Sequence, residues 1–246
     1  IGKKRGTITT NDGVIINADE FEYDKIKNVL KAKGNITVND EANDYIVNSE
    51  NILYLKDQEK IQIKGKSSSL IFSNYNFKSE DIIILRDKLI LEASKPTIII
   101  DKKNQTLYEI DKLSYSIKDE ILKGEKIFIN TKFNQPFSDK YFFKNAIFNL
   151  KDQSYIAKDI DINLKKDIFG NKKNDPRFKG ISSSSKNGVT TIDKGIFTSC
   201  KKSDKCPPWS VQAEKITYDK NKKQVLYDSA LIKVYDVPVM YFPKFF

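Results

Sequence analysis

Residues 21–40 read FEYDKIKNVLKAKGNITVND, and they contain the pattern on which the fold depends. An apolar–polar–aromatic step, Phe21-Glu22-Tyr23, precedes the charged pair Asp24-Lys25 and then an apolar residue or glycine at every second position from Leu30 to Val38. Alternation with a period of two around a short polar turn is typical of a β-hairpin, because successive side chains of a strand point to opposite faces. The stretch therefore predicts two antiparallel strands, each with one apolar face.

This short step recurs six times along the chain, each time with a charged turn a few residues later. The copies are Phe21-Glu22-Tyr23, Ile52-Leu53-Tyr54, Ile82-Ile83-Ile84, Leu113-Ser114-Tyr115, Ala146-Ile147-Phe148 and Ile216-Thr217-Tyr218. The first five begin at intervals of 31, 30, 31 and 33 residues, and the sixth begins 70 residues after the fifth. A repeat of about thirty residues built from strands indicates hairpins that stack and bury one shared core. The sequence predicts an all-β fold with no helix longer than a turn or two.

The composition agrees with this class. The chain has 246 residues, of which 39% are hydrophobic and 31% charged, which suits one large all-β domain or two small ones. The net charge of +10 indicates either an anionic partner or lysines that are simply solvated on the outer faces of the strands. Only Arg5, Arg86 and Arg177 are arginines, and arginine is the residue expected for bidentate readout of bases and phosphates. Specific nucleic-acid recognition is therefore not expected.

Several kinds of active site are also disfavoured. The chain has no histidine, which removes the commonest general base, and two cysteines without histidine cannot complete a structural zinc site. Neither a G-x-S-x-G motif nor a glycine-rich phosphate loop occurs. We expect no enzymatic activity, no metal and no cofactor. No stretch reaches the roughly eighteen apolar residues of a membrane span, and the start at Ile1 without methionine suggests a trimmed piece of a longer protein.

The pattern divides the chain into four parts. Gly, Asn, Pro and Ser interrupt the repeat after residue 164, as in Ser182–Ser185 and Asn187-Gly188, which suggests a loop-rich insertion. The last ten residues are aromatic-rich and contain Pro238 and Pro243, which suits an edge strand or a connector. The predicted parts are repeated hairpins in 1–164 opening with a strand over Thr7–Ile16, an insertion in 165–210 carrying both cysteines, a final hairpin in 211–236, and a connector in 237–246.

A set of ordered motifs follows the interruption. These are Phe197-Thr198-Ser199-Cys200, Pro207-Pro208-Trp209, Ala213-Glu214-Lys215-Ile216-Thr217-Tyr218-Asp219 and Val237-Pro238-Val239-Met240-Tyr241-Phe242-Pro243. With them, residues 197–243 resemble the N-terminal periplasmic domain of the LptD family of outer-membrane lipopolysaccharide-assembly proteins, also called OstA or organic solvent tolerance proteins. The first 165 residues match only as generic repeats of the kind also found in other members of that transport system.

The resemblance implies an open β-jellyroll at the periplasmic face of the Gram-negative outer membrane. Such a domain carries the acyl chains of lipopolysaccharide in an apolar trough toward a C-terminal β-barrel, here expected beyond Phe246. The implied partners are lipopolysaccharide, a periplasmic bridge jellyroll of the same system, and an outer-membrane lipoprotein plug held by the barrel. Both end edges should be unpaired, and the opening strand Thr7–Ile16 should dock the bridge jellyroll by β-augmentation.

The inward-facing residues allow two interpretations. Alternation alone predicts a set of aliphatic side chains that either fill a packed core or line an apolar groove. With the resemblance, the groove is the better prediction. The predicted lining residues are Leu30, Ala32, Ile36, Val38, Ile61, Ile63, Ile82 and Ile84.

The two cysteines, Cys200 and Cys206, lie close together in the sequence. In the LptD family the cysteine at the position of Cys200 forms a disulfide with a cysteine of the distant barrel. This chain departs from the best-known members by having a second cysteine six positions later. Because an even cysteine count in an exported domain favours pairing, we predict a local Cys200–Cys206 bond, and the bond to a barrel cysteine is the alternative.

Three other functions remain open. The first is a soluble periplasmic bridge with the same jellyroll and no barrel, against which the Pro-rich exit at 238–243 argues. The second is a polysaccharide-processing β-helix enzyme, which would need a carboxylate or arginine cluster that the spacing does not show. The third is a structural surface repeat protein, in which an insertion with paired cysteines would be unusual.

Overall fold

The computed structural model describes residues 5–11, 13–66, 68–203 and 207–246. The described chain consists of antiparallel strands joined by turns, with one short 3₁₀ turn at Lys56–Gln58, so the predicted all-β class is confirmed. It divides into two compact units, Ile1–Glu120 and Ile121–Phe246, and this division falls inside the segment 1–164 that the repeat predicted as one series. Among the described residues, no helix is long and apolar enough to cross a membrane.

The described part of the first unit contains twelve strands. They are β1 (Gly6–Thr9), β2 (Ile15–Ala18), β3 (Glu20–Asp24), β4 (Val29–Asp40), β5 (Tyr45–Leu55), β6 (Lys60–Lys64), β7 (Ser69–Phe72), β8 (Tyr75–Ser79), β9 (Asp81–Leu85), β10 (Ile90–Ala93), β11 (Thr97–Asp101) and β12 (Thr106–Ser116). The long strands β4, β5 and β12 each pair with two short strands on one side, so one antiparallel sheet folds into two layers. The first layer contains β3, β6, β9 and β10, and the second contains β1, β2, β7, β8 and β11.

A crease separates the two layers, and the chain crosses it at local breaks in the strands or between them. In β4 the break is Gly34-Asn35, with φ of 74° and 45°. A Cβ on Gly34 would lie 2.6 Å from Asp19 Oδ2, and the Asp19 N–H donates to Gly34 O at 3.0 Å, so the glycine permits a close approach of two chains. Elsewhere the break is a residue or short turn between two strands, as at Glu80. Phe77 of the second layer and Tyr115 of the first lie 5.2 Å apart between ring centroids, so the layers pack face to face.

The second unit, over its described residues, is a simpler meander of eight long strands. They are β13 (Ile121–Thr131), β14 (Lys140–Asn149), β15 (Ser154–Asn163), β16 (Arg177–Lys186), β17 (Val189–Thr198), β18 (Trp209–Asp219), β19 (Gln224–Val234) and β20 (Val237–Phe245). Each strand pairs with the next, and the pairing is interrupted near the middle of every strand. Every second strand has a left-handed residue at this level, at Lys126, Asp159, Lys194 and Ser229. These interruptions form the crease of the second unit, and Phe178 meets Tyr218 across it at 5.9 Å.

The turns reproduce the predicted repeat. Left-handed residues close the hairpins at Asn28, Glu59, Leu89, Glu120, Gln153, Asn187 and Lys223, at intervals of 31, 30, 31, 33, 34 and 36 residues. The first four intervals equal those of the sequence steps, and the gap of 70 residues therefore contains two repeats.

The loop-rich insertion predicted for 165–210 is wrong over most of its length. Strands β16 and β17 occupy 177–198, and Asn187-Gly188, with φ of 52° and 78°, forms the tight turn between them. The serine run lies in β16, where it is held from both sides by pairing with β15 and β17. Ser183 takes an inward position that an apolar residue usually fills, and it is 2% exposed. Within 165–210, the described residues are irregular only in the stretches on either side of this hairpin.

The predicted opening strand Thr7–Ile16 is a hairpin instead. Strands β1 and β2 pair through Thr7 and Asn17, and a turn between them is closed by the Thr10 N–H donating to Val14 O at 2.9 Å. Gly13 has φ of 86°, which an extended strand does not permit. Asn11 and Gly13 are residue types that favour turns, which accounts for the interruption.

Candidate functional site

All eight predicted lining residues lie on the inward faces of the first unit. Leu30 has the largest exposed fraction, 8%, and Ile63, Ile82 and Ile84 have none. Cross-strand pairing aligns them with residues that the sequence interpretation did not select, so each layer has a continuous apolar row. The row of the first layer is Leu30, Tyr54, Ile61, Ile84, Leu91 and Tyr115. The row of the second layer is Ile16, Val38, Val47, Leu70, Phe77 and Ile99.

The additional residues follow the same period of two as the predicted ones. Val47 and Leu70, for example, lie in β5 and β7 at alternate positions, and both are fully buried. The repeat could have identified them if the alternation had been extended through every hairpin. The alternation does not determine whether two facing layers pack against each other or enclose a ligand, because the inward positions are the same in both cases.

An ion pair joins the two layers of the first unit at the ends of the strands farthest from the crease. We call this end of the unit the first mouth. Arg86, in the turn after β9, lies 3.6 Å through Nη2 from Oδ2 of Asp40 at the end of β4. Its Nη1 donates to Glu59 Oε2 at 2.9 Å and to the Tyr54 hydroxyl at 3.0 Å. Asp40 is 1% exposed, and burial, followed by its charge, raises the pKa of the Tyr45 hydroxyl. One guanidinium thus connects the two layers.

The second unit has a comparable interior with more aromatic side chains. One inward row crosses each half of the meander. They are Ile129, Tyr141, Ile162, Phe178, Phe197 and Val211 in one half, and Ala146, Ala157, Ser183, Ile192, Ile216 and Tyr227 in the other. The halves meet through Phe197 and Tyr227, whose ring centroids are 6.3 Å apart.

The mouth of the second unit, the second mouth, is also closed by an ion pair between the ends of its strands. Lys220 Nζ, in the turn after β18, lies 3.3 Å from Oδ2 of Asp139, which immediately precedes β14. The other carboxylate oxygen accepts the Lys165 N–H at 2.8 Å, and Asp139 is 6% exposed. Burial first, and the Asp139 charge second, raise the pKa of Tyr218 to about 12, so its hydroxyl stays neutral at physiological pH. Both units therefore place one buried aspartate and one basic residue at the mouth.

Two of the motifs that carried the resemblance, those containing Phe197 and Trp209, meet in one aromatic cluster in the second unit. Phe197 packs against Phe178 at 4.7 Å and Trp209 at 5.9 Å, and Tyr227 continues the cluster to Phe245 at 5.7 Å. Strands β17, β18, β19 and β20 therefore contribute to a single packed group.

Cys200 lies beside this aromatic cluster. Its Sγ is 3.6 Å from Trp209 O, which also accepts the Thr198 hydroxyl at 2.7 Å. Within the described residues Cys200 forms no disulfide, and Cys206 lies outside them. The Cys200–Cys206 bond therefore stays a prediction.

The last strand, β20, has one neighbour, β19, in the described part of the chain, and it is apolar on both faces. Val237, Val239, Met240 and Tyr241 are between 53% and 60% exposed. Pro243 lies opposite the interrupted position of β19, where no ladder hydrogen bond is required. The prolines thus suit an edge strand, and the segment 237–246 that was predicted as a connector is paired with β19 along most of its length.

Comparisons with known proteins gave one kind of match. No protein-family model matches the chain, and no curated protein matches it. Among solved structures, the chain is similar to the crystal structure of LptH, the LptA homologous periplasmic component of the conserved lipopolysaccharide transport device from Pseudomonas aeruginosa. The match covers 46% of this chain and 82% of that chain, with 13% identity and a TM-score of 0.43.

Proposed function

We propose that the chain is a periplasmic jellyroll that carries the acyl chains of lipopolysaccharide between the two layers of its folded sheet. The observation that supports this most is the pair of continuous apolar rows in each unit, held at the mouth by a few polar contacts. Each CH₂ group moved from water into such an interior contributes about 0.8 kcal/mol. Several acyl chains would therefore bind strongly without specific polar contacts. Carrying a lipid breaks and forms no covalent bond, so this function needs no catalytic group.

Loading requires the layers to separate, because the inward residues are buried in this closed form. The creases provide the place for that motion, since left-handed residues such as Asn35 and Lys194 already interrupt the strand pairing there. Loading also requires a path from outside into the interior, and we place that path at the mouths. Arg86 and Lys220 hold the layers by ion pairs, whose loss opens a path to the interior without breaking strand ladders.

This function has two possible forms, which differ in whether a β-barrel follows the jellyroll. Residues 197–243 resemble the LptD family, which favours the periplasmic part of an outer-membrane translocon with a barrel and a lipoprotein plug. The regular course of the second unit favours the soluble bridge, because the expected insertion is a hairpin and the expected exit segment pairs as β20. The complete reading frame separates them: a long series of alternating strands after Phe246 supports the translocon, and a stop codon supports the bridge.

Site-specific photocrosslinking tests acyl binding with a matched pair of neighbours. Phe143 is 3% exposed on the inward face of β14, whereas Phe142 is 44% exposed on the outer face. A photoreactive phenylalanine analogue at position 143 should crosslink to lipopolysaccharide in cells, and one at position 142 should not. Equal labelling at both positions, or labelling at position 142 alone, contradicts the proposal. A thermal melt of both variants checks that each is folded.

A further inference from the structure

A polar cavity of about 340 Å³ lies at one end of the second unit, beside the second mouth. Three loops form it: residues 132–139 after β13, 164–176 after β15, and 199–202 after β17. We call it the lysine pocket, because four of its lining residues are Lys140, Lys165, Lys166 and Lys202. Of the described residues that line it, only Asp175 is acidic.

The walls of the lysine pocket are fixed by hydrogen bonds between the loops. The Leu164 N–H donates to Pro176 O at 2.9 Å, and the Asp175 N–H donates to Ser199 O at 3.1 Å. Arg177 Nη1 donates to the carbonyl oxygens of Asp175 and Cys200 at 3.0 and 2.5 Å, which ties the second and third loops together. The lysines therefore project from a braced frame, and a ligand need not order these loops when it binds.

Most of the acidic charge near the pocket is already satisfied. The Asp175 carboxylate accepts the Lys202 N–H at 2.9 Å and lies 3.1 Å from Lys166 Nζ. The hydrogen bond from the Lys202 backbone is the main cause that lowers the pKa of Asp175, so this group remains a carboxylate. Lys165 Nζ lies 3.6 Å from Asp167 Oδ1, and the Asp139 carboxylate forms an ion pair with Lys220. Among the described residues, four ammonium groups thus share two carboxylates, which leaves a positive excess.

The pocket is continuous with the apolar interior through Leu164. This residue continues the inward series of Ile160 and Ile162 by one further step of two, and all three are at most 6% exposed. Its other neighbours in the pocket include Phe133 and Phe137. The lining therefore combines ammonium groups with apolar side chains, as an anionic amphiphile requires.

We propose that the lysine pocket binds a phosphate of an amphipathic ligand whose acyl chains lie in the interior of the second unit. Lysine suits this role because an ammonium group attracts phosphate as a point charge and does not require one planar geometry. The inference rests on the proposed function for the acyl part, and it names the residues that meet the head group. The same chemistry would also accept free phosphate, which the experiment must separate.

The test compares lipid A that carries both phosphates with the same lipid after enzymatic removal of the phosphates. Binding is measured for the full chain, for K140Q/K166Q/K202Q, and for K25Q/K103Q/K151Q. The second triple variant removes the same number of charges from exposed turn lysines outside the pocket. The unchanged chain should prefer the phosphorylated lipid by at least about tenfold, the factor that 1.4 kcal/mol supplies and that one hydrogen bond to a charged group can provide.

The pocket variant should lose this preference and keep its affinity for the dephosphorylated lipid, while the control variant keeps both. An unchanged preference in the pocket variant, or an equal loss in the control, overturns the proposed site. Inorganic phosphate is titrated separately. If it binds at the pocket and the unchanged chain does not prefer the phosphorylated lipid, the site takes a free anion and the head-group proposal is wrong. Failure of the dephosphorylated lipid to bind any form counts against the acyl function instead.

Discussion

Two of the three arginines of this lysine-rich chain occupy structural positions that lysine could not fill equally well. Arg86 contacts Asp40, Glu59 and Tyr54 at once, and Arg177 bridges two loop carbonyls. The planar guanidinium permits several simultaneous hydrogen bonds, whereas an ammonium group would act as a point charge. Their sequence context gave no sign of this, because all of these contacts except that of Arg177 with Asp175 join segments more than twenty residues apart.

Replacing Arg86 by alanine should strongly destabilise the first unit. The change leaves Asp40, which is 1% exposed, without its cation, and removing one partner of a buried pair costs about 3–5 kcal/mol. Arg5→Ala is the matched control, since its pair with Asp19 has side chains 61% and 39% exposed and such pairs contribute about 0–1 kcal/mol. The free energy of unfolding in urea measures both. Equal losses in the two variants would show that the first mouth is not held by this ion pair.

At the scale of the strand, the sequence predicted most hairpins and missed those without an apolar alternation. The charged turns and the repeat of about thirty residues placed β4, β5, β12 and β13 correctly. Strand β16 was missed because Ser182–Ser185 has the composition of a loop, and pairing on both sides holds it extended. Asn187-Gly188 was the available signal, since this dipeptide is the strongest short-range mark of a tight hairpin.

The edge of the first unit gives a prediction about partners. Strand β1 pairs with β2 alone in the described chain, so its other side can add a strand from a similar jellyroll. Photocrosslinkers at Thr7 or Thr9 should capture a periplasmic partner in cells, whereas the same group at Asn17, on the paired neighbour β2, should not. Capture only from β20, at Val239 or Tyr241, would show that the partner binds the edge strand of the second unit instead.

At the scale of the whole chain, the sequence could predict an inward apolar set but not what that set encloses. The period of two fixes which side chains face inward, and it is equally satisfied by a packed core and by a lipid groove. Ile63 illustrates the difficulty. Because it has no exposed surface, a charge at this position would unfold the unit in either case, since an unpaired buried charge is costly. The division into two units and the ion pairs at both mouths likewise depend on contacts that no local pattern encodes.

The central claim, that acyl chains enter the interior, can be tested most directly without changing the interior. The single tryptophan, Trp209, lies in the aromatic cluster against Phe197, and bromine atoms on an acyl chain quench tryptophan fluorescence only at contact distance. A control protein carries W209F and F142W, which moves the tryptophan to the outer face of β14. We predict that lipid A with brominated acyl chains quenches Trp209, that the unbrominated lipid does not, and that the control protein is unaffected. Equal fluorescence of Trp209 with both lipids at saturating concentration would contradict the account.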